Sequence, residues 1–199
     1  MKSHNLLKTF FRFIRIVNLK YRRKGLMSFK QYWILAKHIE KYAPCKLLVF
    51  GLGYDSLLWD SLNKRGKTLF LEDNNEWIKN FSNSNLLIKE VKYKTKIQDY
   101  KKYGFNDKVL MLDLEEEIYS ENWDMIIVDA PLGHQPPRKW SGPGRMSSLF
   151  SAKILSKNAK CVVVDDFSRR IEMLYSLEYF GDKNLKFVVE DKLAFFFFS

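Results

Sequence analysis

The stretch CKLLVFGLGYDS, residues 45–56, decides how this chain is read. Leu47–Phe50 are apolar without alternation, as in a strand buried on both faces. The run stops at Gly51-Leu52-Gly53, where bare backbone lets another group come close. Asp55 and Ser56 open DSLLWDSLNKRG (55–66), which reads as a helix closed by Gly66. The next strand, KTLFLED (67–73), ends in Glu72 and Asp73.

The pattern repeats outward. NNEWIKNFSNS (74–84) reads as a short helix, NLLIKEVKYKT (85–95) contains a third strand, and IQDYKKYG (97–104) looks helical. NWDMIIVDAP (122–131) and AKCVVVDD (159–166) are buried strands ending in Asp129 and in Asp165-Asp166. Between them lie a loop rich in Pro and Gly, LGHQPPRKWSGPG (132–144), and a helix, RMSSLFSAKILSKN (145–158). SRRIEMLYSLEYFG (168–181) is a further helix. LKFVVE (185–190) and LAFFFFS (193–199) flank Asp191-Lys192 as an antiparallel hairpin. Strands alternating with helices predict a mainly parallel α/β sheet with right-handed crossovers. Residues 45–199 read as that domain and residues 1–44 as an N-terminal helical extension.

Ligands of such sheets bind at the carboxyl ends of the strands. The glycine turn, Glu72-Asp73, Asp129 and Asp165-Asp166 all fall there. Glu72 follows Gly51 by 21 positions, the spacing at which an acid meets a ribose diol. An adenosine-containing ligand is expected, held by Gly51, Gly53, Asp55, Ser56, Glu72 and Asp73. Ser56 replaces the third glycine of a dinucleotide fingerprint. S-adenosylmethionine (SAM), which lacks a pyrophosphate, therefore suits the turn better.

The chain resembles a polysaccharide-biosynthesis family that includes the glucuronoxylan 4-O-methyltransferases of plants. The resembling stretches are LLVFGLGYDSLLWDSLNKRGKTLFLEDNNEWI, VKYKTKI, WDMIIVDAPLGHQPPRKWSGPGRMSSLFSAKIL and VVVDDFSRR, from about Leu47 to Arg170. Tyr54 and Asp165 stand where members often carry His, and nothing here matches the membrane anchor of plant members. The resemblance implies a Rossmann-like class I SAM-methyltransferase fold. It also implies methyl transfer to a saccharide hydroxyl, typically O4 of a glucuronic acid side chain. Gly51, Gly53 and Asp55 match its SAM loop, Glu72 its ribose acid, Asp129 the start of its catalytic loop, and Pro143-Gly144-Arg145-Met146 a Pro-Gly-Arg-Met segment.

Residue chemistry adds candidate roles. Asp129, His134 and Asp166 are candidate catalytic groups, with His134 as a base that titrates near neutrality. Asp129, Asp165 and Asp166 could instead hold a divalent cation, which would acidify a sugar hydroxyl. Arg145, ahead of a helix, could grip an acceptor carboxylate bidentately. Gly144 and Trp140 complete the expected acceptor site, Trp140 by stacking on a sugar ring. Trp59, Trp77 and Trp123 are expected to pack in or near the core.

The chain has 199 residues, with 34 Lys plus Arg against 23 Asp plus Glu, a formal charge of +11. That surplus favours an anionic partner, whether nucleic acid, an acidic polysaccharide or anionic lipid headgroups, without choosing among them; the resemblance points to an acidic glycan. RNA is the rival acceptor, but no RNA-binding module is recognisable. A non-catalytic glycan-binding protein on the same fold is the alternative outside enzymes. LLKTFFRFIRIVNLKYRRKG (6–25) reads as a basic amphipathic helix. It either packs across the domain, contacts a partner or lies on a membrane surface. Cys45 and Cys161 begin strands separated by another and are read as reduced thiols. With no signal peptide or apolar span in evidence, a cytoplasmic or membrane-peripheral location is expected.

Overall fold

The computed structural model describes residues 2–22, 27–105, 108–132 and 142–198. In chain order the elements are α1 (Lys2–Arg22), α2 (Phe29–Tyr42), β1 (Lys46–Phe50), α3 (Ser56–Leu62), β2 (Lys67–Glu72), α4 (Asn75–Asn80) and β3 (Leu87–Glu90). There follow α5 (Tyr100–Tyr103), α6 (Glu116–Ser120), β4 (Met125–Val128), α7 (Met146–Leu155), β5 (Cys161–Val164), α8 (Arg170–Phe180), β6 (Leu185–Val189) and β7 (Leu193–Phe197). The seven strands form one sheet in the order β3-β2-β1-β4-β5-β7-β6. The first five pair in parallel; β7 runs antiparallel to both β5 and β6.

Because strand side chains alternate between faces, each central strand feeds two cores. Leu48, Phe50, Ile126, Val128, Val162 and Val164 face the layer of α7 and α8. Leu47, Val49, Met125, Ile127, Cys161 and Val163 face α1, α2 and α3. The N-terminal helices thus cover one face of the sheet through Ile16, Leu19, Tyr32, Leu35 and Ile39. Among the described residues no helix is long and apolar enough to cross a membrane. Cys45 and Cys161 are buried free thiols, with β4 between the strands they begin. Trp59 and Trp123 are core residues and Trp77 packs at the core's margin.

Local signals explain the boundaries. Ser28 caps α2 with a full capping box, its hydroxyl accepting from Gln31 N while Gln31 Oε1 accepts from Ser28 N. α1 was expected to end near Gly25, which lies outside the described residues. α3 is shorter than expected because Asn63 leaves the helix to serve the sheet. Asn63 Oδ1 accepts from Cys45 N (2.9 Å), and Nδ2 donates to Cys45 O (2.9 Å) and to Thr68 Oγ1 (3.1 Å). The hairpin loop takes in Glu190 as well as the expected Asp191 and Lys192, since Val189 pairs with Leu193. Glu190 and Asp191 have positive φ (51° and 56°), and Lys192 N donates to Val189 O. Left-handed residues in hairpin turns are usually Gly or Asn. The sequence therefore hid the loop's first residue.

Asn63→Ala should strip partners from buried backbone at the start of β1. A loss of about 2–3 kcal/mol is expected in urea unfolding, with an unchanged denaturant slope.

Candidate active site

The turn after β1 is pressed against the turn after β4. Gly51 has φ +117°, and a Cβ there would lie 3.0 Å from Ala130 Cβ. Its missing side chain thus admits the neighbouring turn. Gly53 N donates to the hydroxyl of buried Ser56 (2.9 Å), which closes the loop ahead of α3. Ser56 therefore shapes the turn from within. Glu72 is buried and ties this turn to the end of β2. Its Oε2 accepts from Leu52 N (2.7 Å), and its Oε1 accepts from Asp73 N (3.0 Å) and Asn74 N (2.8 Å). Oε2 retains capacity for one more donor, such as a ribose hydroxyl. Asp73 is exposed beside it.

The charges converge at the ends of β4 and β5. Arg145, just ahead of α7, is only 3% exposed. Its Nε donates to Pro131 O (3.2 Å) and its Nη1 to Asp165 O (2.6 Å). Its Nη2 donates to Asp129 Oδ1 and Asp166 Oδ2, both at 3.0 Å. Arg169 adds a second cation 2.7 Å from Asp166 Oδ2. Asp166 holds φ +56°, an unusual conformation for a residue with a side chain. Asp129, Asp165 and Asp166 present carboxylate oxygens within 4.8 Å of one another.

Burial sets the protonation. It raises Asp129 well above the usual carboxylate range; Asp165 adds to this and Arg145 opposes it. Burial also raises Asp166 against the pull of Arg145. Asp55, at the cofactor turn, is pushed up to about 6 by burial, with Asp165 contributing. Burial works against the charge of Arg145, but Asp129, Asp166 and Asp165 outweigh it and raise its pKa. The cluster holds more carboxylates than guanidinium groups. That imbalance favours the neutral form of Asp129 and Asp166.

That donor set fits a cationic ligand. SAM carries a sulfonium and an ammonium group, and the cluster adjoins the turn that would hold it. Three carboxylates also suit a hard divalent cation. Arg145 already bonds two of them, so a metal would have to share those oxygens with the guanidinium.

The comparisons with known proteins agree with this layout. The family model described as IRX15/IRX15L/GXM matches residues 30–104 and 101–196. The chain belongs to the IRX15/IRX15L/GXM family. It is 34% identical over 167 residues to arabinogalactan O-methyltransferase 1 of Arabidopsis thaliana, covering 71% of this chain and 56% of that protein. It is 34% identical over 175 residues to glucuronoxylan 4-O-methyltransferase 2 of the same plant, covering 76% of this chain and 59% of that one. The chain thus spans less than two thirds of either relative. A solved Staphylococcus aureus structure called a "putative caffeoyl-CoA O-methyltransferase" superposes with a TM-score of 0.52, covers 90% of both chains and is 14% identical. The fold is that of class I SAM-dependent methyltransferases.

Within this IRX15/IRX15L/GXM member, two expectations for the acceptor site change. Arg145 faces inward, because two backbone carbonyls and two half-buried carboxylates claim every arm of its guanidinium. Gly144 is buried, and a Cβ there would meet Ile97 at 3.0 Å. Packing therefore explains it. His134 and Trp140 lie outside the described residues. Two other participants escaped sequence reading. Tyr32 of α2 is almost fully buried, and burial, with the nearby charge of Asp55, raises its pKa. Its helical spacing gave only a core signal. Glu172 of α8 is fully buried 3.9 Å from Arg169 Nη1, and its carboxyl oxygens have no hydrogen-bond partner. An acid in the first turn of a helix looks like ordinary surface capping.

Arg145→Met should cost about 2–3 kcal/mol at pH 8, since it strands half-buried carboxylates. The folded chain holds protons on Asp129 and Asp166 more tightly than the unfolded chain does. That stability is complete below the unfolded value of about 3.9 and is lost as pH rises through the raised folded values. Without the guanidinium those values climb further. The variant's deficit, read from denaturant unfolding, should therefore shrink on going from pH 8 to pH 5.

Proposed function

We propose that the chain is a SAM-dependent O-methyltransferase acting on a saccharide hydroxyl of a uronic-acid-containing glycan. The observation that carries this reading is the acid cluster beside the glycine turn. The names of the relatives, an arabinogalactan O-methyltransferase and a glucuronoxylan 4-O-methyltransferase, supply the acceptor class. O4 of glucuronic acid is the favoured position.

SAM, when bound, would supply an activated methyl group on a sulfonium leaving group. The protein's part is alignment and removal of one proton. Asp55, Glu72 and Asp73 would hold the cofactor at the turns after β1 and β2. Asp129 would take the hydroxyl proton. A carboxylate raised by burial is a stronger base than an ordinary one. Arg145 fixes Asp129 in place and keeps the departing proton from leaving an unscreened cluster. A divalent cation on Asp129, Asp165 and Asp166 is the variant reading, in which the metal acidifies the hydroxyl.

Calorimetry with SAM and a transfer assay against uronic-acid glycans test this. Asp129→Asn should lower kcat by about 10²–10⁴-fold, a far larger loss than any accompanying fall in SAM affinity. Transfer that resists chelation and is not raised by Mg²⁺ or Mn²⁺ would leave Asp129 as the base without a metal. Absence of SAM binding by the parent would favour a non-catalytic glycan-binding protein.

We also propose that α1 rests on an anionic membrane surface. It packs inward through Arg12, Ile16 and Leu19, with Arg12 paired to Glu40 and lying over Trp33. Leu7, Phe10, Phe11 and Ile14 are left exposed. They sit three and four residues apart and so share one stripe. Replacing Phe10, Phe11 and Ile14 by Ser should abolish co-sedimentation with phosphatidylserine-containing vesicles without changing thermal stability.

A further inference from the structure

An extended segment, Val91–Ile97, leaves β3 and crosses to the turn that precedes α7. At one end Val91 N donates to Glu72 O (2.9 Å). At the other, Thr95 Oγ1 donates to Pro143 O (3.0 Å) and Ile97 N to Gly142 O (2.9 Å). The Tyr93 hydroxyl bonds Ser148 Oγ of α7 (2.9 Å). The segment therefore runs along the same end of the sheet as the acid cluster, between the cofactor turn and the Pro-Gly-Arg turn. Its burial alternates. Val91, Thr95 and Ile97 are buried and Tyr93 is half-buried, while Lys92, Lys94 and Lys96 are exposed.

Alternate residues of an extended chain repeat about every 6.6 Å. The alternating exposure places Lys92, Lys94 and Lys96 on one side of a backbone that hydrogen bonds hold in place. Two nearby lysines are neutralised: Lys89 pairs with Glu115 and Lys102 with Asp99. Among the described residues, Lys92, Lys94 and Lys96 have no ion-pair partner. The acid cluster itself repels an anionic chain, so a polyanion that reacts there has to be held by cations nearby.

We propose that Lys92, Lys94 and Lys96 form a docking track for the carboxylates of an acidic glycan, gripping units beyond the one that reacts. This rests on the acceptor class proposed above. The track takes over the recognition of acceptor carboxylates for which buried Arg145 is not available. An ammonium row suits this task because it asks only for spaced negative charge, whereas bidentate recognition would fix each sugar's orientation.

The test replaces all three lysines by Ser, and separately by Arg, in the full chain. Binding to glucuronoxylan is measured without SAM by affinity electrophoresis at low salt, beside carboxyl-reduced glucuronoxylan and a single-stranded RNA. The parent should bind the acidic polymer, and the Ser variant should bind about tenfold or more weakly. The Arg variant should bind like the parent, and the reduced polymer should not distinguish them. SAM affinity and transfer to a single methyl glucuronoside should be the same in the Ser variant as in the parent. Equal retention of parent and Ser variant on glucuronoxylan overturns the track, as does a parent that does not bind it. Lysine dependence confined to RNA overturns it in favour of a nucleic acid. Equal losses on polymer and monosaccharide overturn it as well, because the substitutions would then have disturbed the site. Lysine-dependent glycan binding with no methyl transfer by the parent leaves the track standing and sinks the enzymatic reading instead.

Discussion

One buried guanidinium holds together the end of this sheet where β4 and β5 finish. Arg145 bonds the loop after β4 through Pro131 O and Asp129, and the loop after β5 through Asp165 O and Asp166. Its own backbone begins α7. Three segments distant in sequence meet on one planar group, whose forked geometry sets their spacing. The acids could not be packed so closely without it. Nor could it be buried without them, since an unpaired charge in the interior is far too costly. The cluster and its cation are therefore one structural object, and the site's chemistry follows from its unequal charge count.

This interdependence also explains why neighbouring features look structural one by one. Gly51 makes room for Ala130, Ser56 closes its own turn, Glu72 clamps Leu52, and Gly144 admits Ile97. Each fixes one loop against the next. A transfer reaction that depends on alignment needs loops that do not drift. Tyr32 of α2 packs on Trp59 of α3, the helix that follows the glycine turn, with ring centroids 5.8 Å apart. The helices before β1 thus brace the element behind that turn as well as cover the sheet.

Most of the fold was legible because buried parallel strands announce themselves as unbroken apolar runs. LLVF, MIIV and CVVV ended at Gly or Asp where the site begins. Less could be read where a residue's role depends on direction. Arg145 ahead of a helix looks the same whether it faces an acceptor or the interior, and only the convergence of two distant loops decides. α6 went unread because its EEEIYS segment, 115–120, is too polar and too short to show a period. The hairpin loop was read one residue short because Glu190 and Asp191 adopt a conformation their side chains do not advertise. Tyr32 was hidden by looking like core, which it also is.

The position of β7 has a consequence for how the molecule is assembled. Among the described residues it follows every other strand in sequence, yet it lies inside the sheet, between β5 and β6. Until it is in place, β5 presents an unpaired edge lined by Cys161–Val164, and the β6 segment has no strand to pair with. Such open apolar edges recruit other chains. During synthesis, sealing of the sheet has to wait for residues 193–197, although the site-forming strands β1, β4 and β5 have all been made by then. The interval between making β5 and inserting β7 is when this protein is most exposed to misassociation, and the Phe-rich strand that ends it is itself the segment most in need of a prompt partner.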